Sequence, residues 1–155
     1  LPKAIVRHGL LKDIPGAMRL AADFHNASAY RDHPLDLAKV DQLVHKMLAD
    51  PAYFCVALAD SVTDEIHGYL LAMAHEHYFS KVRTVTDIGF YIEPEWRSPL
   101  AARSMVAQLE AWAFGEAGAA DITLGISSGI ADEATRRFFQ RLGYDRGYYG
   151  VIKSR

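Results

Sequence analysis

Apolar positions change rhythm along the chain, and the changes mark its elements. Ala4 to Arg7 is a short apolar run that predicts a strand. Leu11-Lys12-Asp13-Ile14-Pro15-Gly16 puts an acidic residue and a proline where a helix can open, and Ala17, Leu20, Ala21 and Phe24 then recur at helical spacing to about Asn26. Ala27 to Pro34, with Tyr30, Arg31, Asp32 and His33, has no clean period and reads as a loop. Leu37, Val40, Leu43, Val44, Met47 and Leu48 share one face of a second amphipathic helix over Asp36 to Ala49, which Asp50-Pro51 stops. The rhythm then turns continuous. Tyr53 to Ala59 and Ile66 to Ala74 are unbroken apolar runs separated by turn chemistry at Asp60 to Asp64, the pattern of two antiparallel strands. Val85 to Ile92 gives a third strand of this block, halted by Glu93-Pro94. Ala101 to Gly115 is helical through Met105, Leu109, Trp112 and Ala113, Ile122 to Ser127 is a strand, and Asp132 to Leu142 is a last helix with Asp132 as N-cap and Gly143 just past its end. Tyr144 onward returns to strand. The order β-α-α-β-β-β-α-β-α-β predicts one domain of a mixed α/β class over residues 1–155.

Composition narrows the partners. With half of its 155 residues hydrophobic, 23% charged and a net charge of -2, the chain has the profile of a soluble globular domain with no overall attraction to nucleic acid or to an anionic membrane. Cys55 is the single cysteine, which excludes an intramolecular disulfide and a four-cysteine zinc site. No apolar stretch approaches the roughly 20 residues needed to cross a bilayer, and the sequence from Leu1 does not open with the pattern of a charged-then-apolar leader. The expectation is a cytoplasmic chain whose partner is a small molecule or another protein.

The chemistry concentrates where the third strand of the block gives way to a helix, Glu93-Pro94-Glu95-Trp96-Arg97-Ser98-Pro99-Leu100-Ala101-Ala102. A helix starting there aims unpaired backbone N–H groups and the positive end of its dipole outward, and Arg97 adds a full charge, so the junction is suited to a pyrophosphate without any metal.

This junction and the order of elements resemble the GNAT superfamily of acyl-CoA-dependent N-acetyltransferases, over nearly the whole chain. The family's phosphate loop reads Gln/Arg-x-x-Gly-x-Gly/Ala, which falls here on Arg97-Ser98-Pro99-Leu100-Ala101-Ala102. Arg97 and Ala102 fit. Leu100 stands where the family has its first glycine, and Pro99 gives up one amide donor. The loop then either holds the pyrophosphate through the amides of Leu100, Ala101 and Ala102, with Arg97 and Ser98 beside them, or its affinity for coenzyme A is weakened or lost. The resemblance implies a central mixed, mostly antiparallel sheet of six to seven strands flanked by about four helices. It also implies acetyl-CoA as co-substrate, no metal, and transfer of an acetyl group to an amine by direct attack. The family's last helix carries an asparagine and a tyrosine that fall on Asp132 and Phe139, and phenylalanine has no proton for a leaving thiolate. Tyr148 or Tyr149 would then substitute, water would, or the thiolate leaves unassisted, as a thiol pKa of about 8–9 permits.

The resemblance also assigns a backbone amide at Tyr91 or Ile92 to polarise the carbonyl, Ile92 being preferred, and a carboxylate to take the amine's proton. Asp87 is the nearest carboxylate, although a glutamate of some relatives aligns at Thr86, and a one-residue slip reverses the face of a strand. The plainer reading of Asp87 is a hydrogen-bonded structural group. His75 and His77 flank Glu76 on a strand end, a spacing more often solvated polarity than a metal site without a third ligand. Arg136, Arg137 and Arg141 make a basic face, solvated unless one touches the nucleotide 3'-phosphate. Tyr30, His33, Tyr78, Tyr148 and Tyr149 are aromatics from which an acceptor pocket could be built. Two alternatives to an enzyme stay open. One is a non-catalytic coenzyme A-binding module, and the other is an interaction protein, in which a homodimer completes the short C-terminal hairpin.

Overall fold

The computed structural model describes residues 3–145, and within them one five-stranded sheet runs in the order β1 to β5. Strand β1 (Ala4–His8) is followed by α1 (Ile14–Ala27) and α2 (Leu37–Ala49), then β2 (Tyr53–Asp60), β3 (Ile66–Glu76) and β4 (Arg83–Ile92). A short 3-10 turn over Pro94–Trp96 leads into α3 (Pro99–Phe114), and β5 (Asp121–Thr123) and α4 (Asp132–Arg141) complete the described chain. Strands β1 to β4 pair antiparallel, and β5 pairs parallel to β4. The expected mixed, mostly antiparallel sheet forms, with four helices and five strands among the described residues where six to seven strands were expected. The predicted strand beyond Tyr144, together with Tyr148 and Tyr149, lies outside the described residues.

The sheet is apolar on both faces, which is why its strands read as continuous runs rather than alternations. Phe54, Val56, Leu58, Leu70, Ala72 and Val85 face α3, where Ala101, Met105, Val106, Leu109 and Trp112 answer them, and Phe139 of α4 joins this layer. Ala57, Ala59, Tyr69 and Tyr91 face the other way, against Leu20, Ala17 and Phe24 of α1. Each helix thus buries one stripe, and the strands bury two. At the entry to α1, Arg7 of β1 binds Asp13 through two hydrogen bonds of 2.7 and 2.9 Å, which compensates the buried Asp13 carboxylate and ties the first helix to the sheet.

Two irregularities shape β4. Leu71 pairs with Gly89 but Ala72 pairs with Asp87, so Ile88 is an extra residue on β4, a β-bulge. The extra residue changes parity: Val85 before it and Phe90 and Ile92 after it all join the α3 layer, whereas an unbroken alternation would have sent Gly89 and Tyr91 there. The second irregularity is the partner strand. β5 pairs with β4 only from Thr84 to Thr86, against Asp121 to Thr123, and the run predicted as strand to Ser127 leaves the sheet after three residues. The two chains part from there.

Candidate active site

Where β4 and β5 separate, a cleft of about 580 Å³ opens, lined by β4, the chain after β5 and the first turns of α3 and α4. Asp87 sits at the apex, where its Oδ1 accepts from the Gly125 N–H at 2.7 Å, so a side chain replaces the next backbone rung between the parting strands. Burial pushes the Asp87 carboxyl above its ordinary range, against the opposing pull of the Gly125 N–H.

The register decides between the two amides expected at the end of β4. Glu93 N donates to His67 O at 2.9 Å, which makes Glu93 opposite His67 a hydrogen-bonded pair. In an antiparallel ladder such pairs alternate, so Ile92 opposite Gly68 is a non-bonded position and its N–H points away from β3, toward the side that β5 has left. Tyr91 is in a bonded position opposite Tyr69, with its N–H turned to β3. Its ring joins the α1 layer, edge-on to Phe24 at 5.8 Å.

The start of α3 differs from the three-amide cradle expected at Leu100, Ala101 and Ala102. Ser98 is the N-cap, and its Oγ accepts from Ala101 N at 3.0 Å; Ser98 O accepts from Ala102 N at 3.1 Å; Pro99 has no N–H. Two of the three amides are thus already bound within the helix, and the Leu100 N–H is the one that lacks an intrahelical acceptor. The Leu100 side chain is 78% exposed and off the cleft wall, and Ala101, at 8%, packs in the core. Arg97, Ser98, Pro99 and Ala102 do line the cleft. Arg97 folds back so that its Nε donates to Ile92 O at 2.9 Å, leaving its terminal nitrogens beside the Tyr91 ring. The whole turn is pinned from behind, since Trp96 stacks on His67 at 3.9 Å and His67 Nδ1 lies 2.6 Å from Glu93 Oε2.

The second helix start is built otherwise. Asp132 does not cap α4: Ala131 holds that place with a left-handed backbone (φ 51) and offers no side-chain acceptor, and Asp132 Oδ1 is buried without a partner on the cleft wall. Phe139, 5% exposed, packs against Phe90, Phe138 and Tyr144 at the inner end of the cleft. The basic face of α4 is largely paired within itself, because Arg136 and Arg137 both bind Glu133 and hold its carboxyl down to about 2. His75 Nε2 lies 3.1 Å from Thr86 Oγ1, and no group of three metal-ligating side chains occurs among the described residues. Tyr30 hydrogen-bonds Ser127 Oγ at 3.0 Å, and Ala29 N donates to Ser128 O at 2.7 Å, so the loop between α1 and α2 docks on the chain after β5. Tyr78 is exposed at the β3–β4 hairpin tip, away from the cleft lining.

Sequence reading missed Gly125, Phe24 and Ile88. A glycine inside an apparent strand was a signal for close backbone approach, whereas nothing in the local pattern marks the bulge at Ile88.

Comparison with known proteins agrees with this architecture. Solved structures similar over nearly their whole length include glucosamine-6-phosphate N-acetyltransferase from Arabidopsis thaliana, with a TM-score of 0.75, 10% identity and 98% of each chain covered. A ribosomal-protein-alanine N-acetyltransferase from Brucella melitensis biovar Abortus 2308 gives a TM-score of 0.69 at 14% identity, covering 98% of this chain and 99% of that one. A transcriptional regulator from Bacillus halodurans C-125 gives 0.75 at 16% identity, over 98% of this chain and 99% of that one. No curated protein matches the sequence. The model of the acetyltransferase (GNAT) family matches residues 17–144, which takes in most of α1 and every element from α2 to α4, and the chain belongs to that family.

Proposed function

We propose that the protein transfers an acetyl group from acetyl-CoA to an amine by direct attack on the thioester. The observation that carries the reading is the parting of β4 from β5, which leaves the Ile92 N–H directed into a cleft bounded by two helix starts. The cleft's donors and acceptors suit the parts of coenzyme A. Arg97 and the Leu100 N–H at the start of α3 suit the pyrophosphate. The unpartnered Asp132 Oδ1 accepts and cannot donate when ionised, so it suits an amide N–H of the pantetheine arm and not a phosphate. The Ile92 N–H then polarises the thioester carbonyl. The amine nitrogen forms the new C–N bond as the C–S bond breaks, and the electron pair leaves on sulfur. Asp87, which burial makes a stronger base, takes the amine's proton through intervening water while the Gly125 N–H fixes Oδ1. Phe139 offers the departing thiolate no proton, so it leaves as the anion or is protonated by water.

The burial of Phe139 favours a second reading, a domain that binds coenzyme A without turning it over. The structural neighbours act on acceptors as unlike as a phosphosugar and a ribosomal protein, so none of these is carried over to this chain. Release of free thiol from acetyl-CoA across an amine panel, set beside calorimetric binding of coenzyme A, separates the readings. Acyl transfer predicts both signals. Binding without thiol release selects the module, and absence of binding removes both.

A further inference from the structure

A second cavity, of about 260 Å³, lies on the opposite face of the sheet, between α1, α2 and the middle strands. It meets the first at Phe24 and Ile88, which line both, so the bulged residue of β4 is the partition between the two spaces. Ala17, Ala21, Leu35, Leu43 and Leu71 give it an apolar wall, and Gly89 leaves the β4 side bare against the Tyr69 ring. Asp13 is the one acidic side chain on the wall, and it is already committed to Arg7 and to the Leu10 N–H at 2.8 Å.

The wall also carries Tyr69, and one buried polar atom on it lacks a partner. His25 Nε2 lies 2.8 Å from His33 O, and a carbonyl can only accept, so the ring hydrogen is on Nε2. In the neutral ring Nδ1 is then a lone-pair acceptor, and that atom is buried with no partner. An acceptor left unpaired in an apolar wall is destabilising unless a ligand donates to it.

We infer that this cavity receives the acceptor, and that the acceptor is a compact apolar amine of aryl or branched-alkyl size carrying one further N–H or O–H for His25 Nδ1. The inference rests on the acyl-transfer reading of the neighbouring cleft. Size supports it, since an apolar cavity of about 150 Å³ already admits a benzene ring. Chemistry supports it too: a sugar or a peptide segment would bring several hydroxyls or amides into a mostly apolar wall, and each group left unpaired would be desolvated without return. The reacting nitrogen lies at the Phe24–Ile88 opening, facing the cleft, with the apolar body behind it. His25 is a positioning residue for that body.

The test has two readouts on the wild-type protein. Ligand-observed NMR measures binding of phenethylamine, its hydroxylated analogue phenylethanolamine, glucosamine and a lysine-containing peptide, and thiol release from acetyl-CoA measures turnover of the same four. The two aryl amines are expected to bind and to exceed the others in kcat/KM by at least about tenfold, with phenylethanolamine ahead. His25→Leu abolishes the preference for phenylethanolamine over phenethylamine, and Ala21→Phe fills the cavity, raising KM for both by about tenfold or more while Kd for coenzyme A stays unchanged. Preference for glucosamine or the peptide, or failure of both aryl amines to bind, overturns the assignment and leaves acyl transfer standing. Aryl-amine binding that Ala21→Phe removes, without thiol release from any amine, overturns acyl transfer and supports the ligand class. Should Ala21→Phe fail to fold, the wild-type binding and turnover data decide alone.

Discussion

The two cavities that flank β4 are built from different materials. The larger cleft is made by backbone, through two strands that part, an amide left facing the gap and two helix starts. The smaller cavity is made largely by side chains of α1 and α2 laid over a sheet face. The first therefore presents several polar groups at fixed positions, the second a shaped apolar wall with one buried acceptor at His25. A site made of backbone suits the donor that a whole family shares. One made of side chains is free to vary with the acceptor. The bulge at Ile88 separates them and turns Phe90 and Ile92 to one side, Gly89 and Tyr91 to the other.

Closing one space while leaving the other separates their roles with the largest effect. Ala102→Trp places an indole in the cleft wall at the first turn of α3. Calorimetric affinity for coenzyme A is expected to fall by about a thousandfold, roughly 4 kcal/mol, while amine binding in the smaller cavity is retained. Asp87→Asn acts on chemistry and not on shape, because an amide oxygen can still accept from the Gly125 N–H. Its kcat is expected to drop on the order of a hundredfold with Kd for coenzyme A unchanged, and an unaltered kcat would return Asp87 to a purely structural role. Ser98→Ala removes the cap on Ala101 N, costs about 1 kcal/mol of stability in urea melts, and leaves amine binding untouched.

The smallest effect is the pH dependence of Asp87→Asn. Burial holds the Asp87 carboxyl above its ordinary range, so between the unfolded and folded pKa values the native protein binds more protons than the unfolded chain. Wild-type stability therefore declines as pH rises through that window, by an amount the asparagine variant does not lose. The stability of the variant relative to wild type should increase from acid to neutral pH, and a constant difference would mean that the carboxylate is not desolvated.

Much of the fold was legible because burial writes itself into sequence. The periodic stripe from Met105 to Ala113 and the continuous runs of β2 and β3 could be satisfied only by a helix on a sheet buried on both faces. The junction between β4 and α3 was legible as a strand, a stop and a helix start. Three details were not. Asp132 looked like an N-cap, but the left-handed Ala131 sets the helix start one residue earlier and leaves the carboxylate facing the cleft. Ala101 and Ala102 looked like phosphate donors, but Ser98 takes both amides. The run from Ile122 to Ser127 looked like a strand, but its length as one is set by where β4 stops pairing with it. Each depends on a partner that local pattern does not name.

The sequence by itself determined which segments are helices and strands, which of their faces are apolar, and where a helix dipole meets a strand end, because these follow from side-chain periodicity and local backbone chemistry. Tertiary structure alone decided that Ile92 and not Tyr91 turns its N–H to the cleft, that Asp87 bridges the gap to Gly125, and that His25 Nδ1 is left buried beside an apolar cavity. Register, bulge and burial are relations between segments far apart in the chain, and one residue of slip exchanges the faces on which all of them depend.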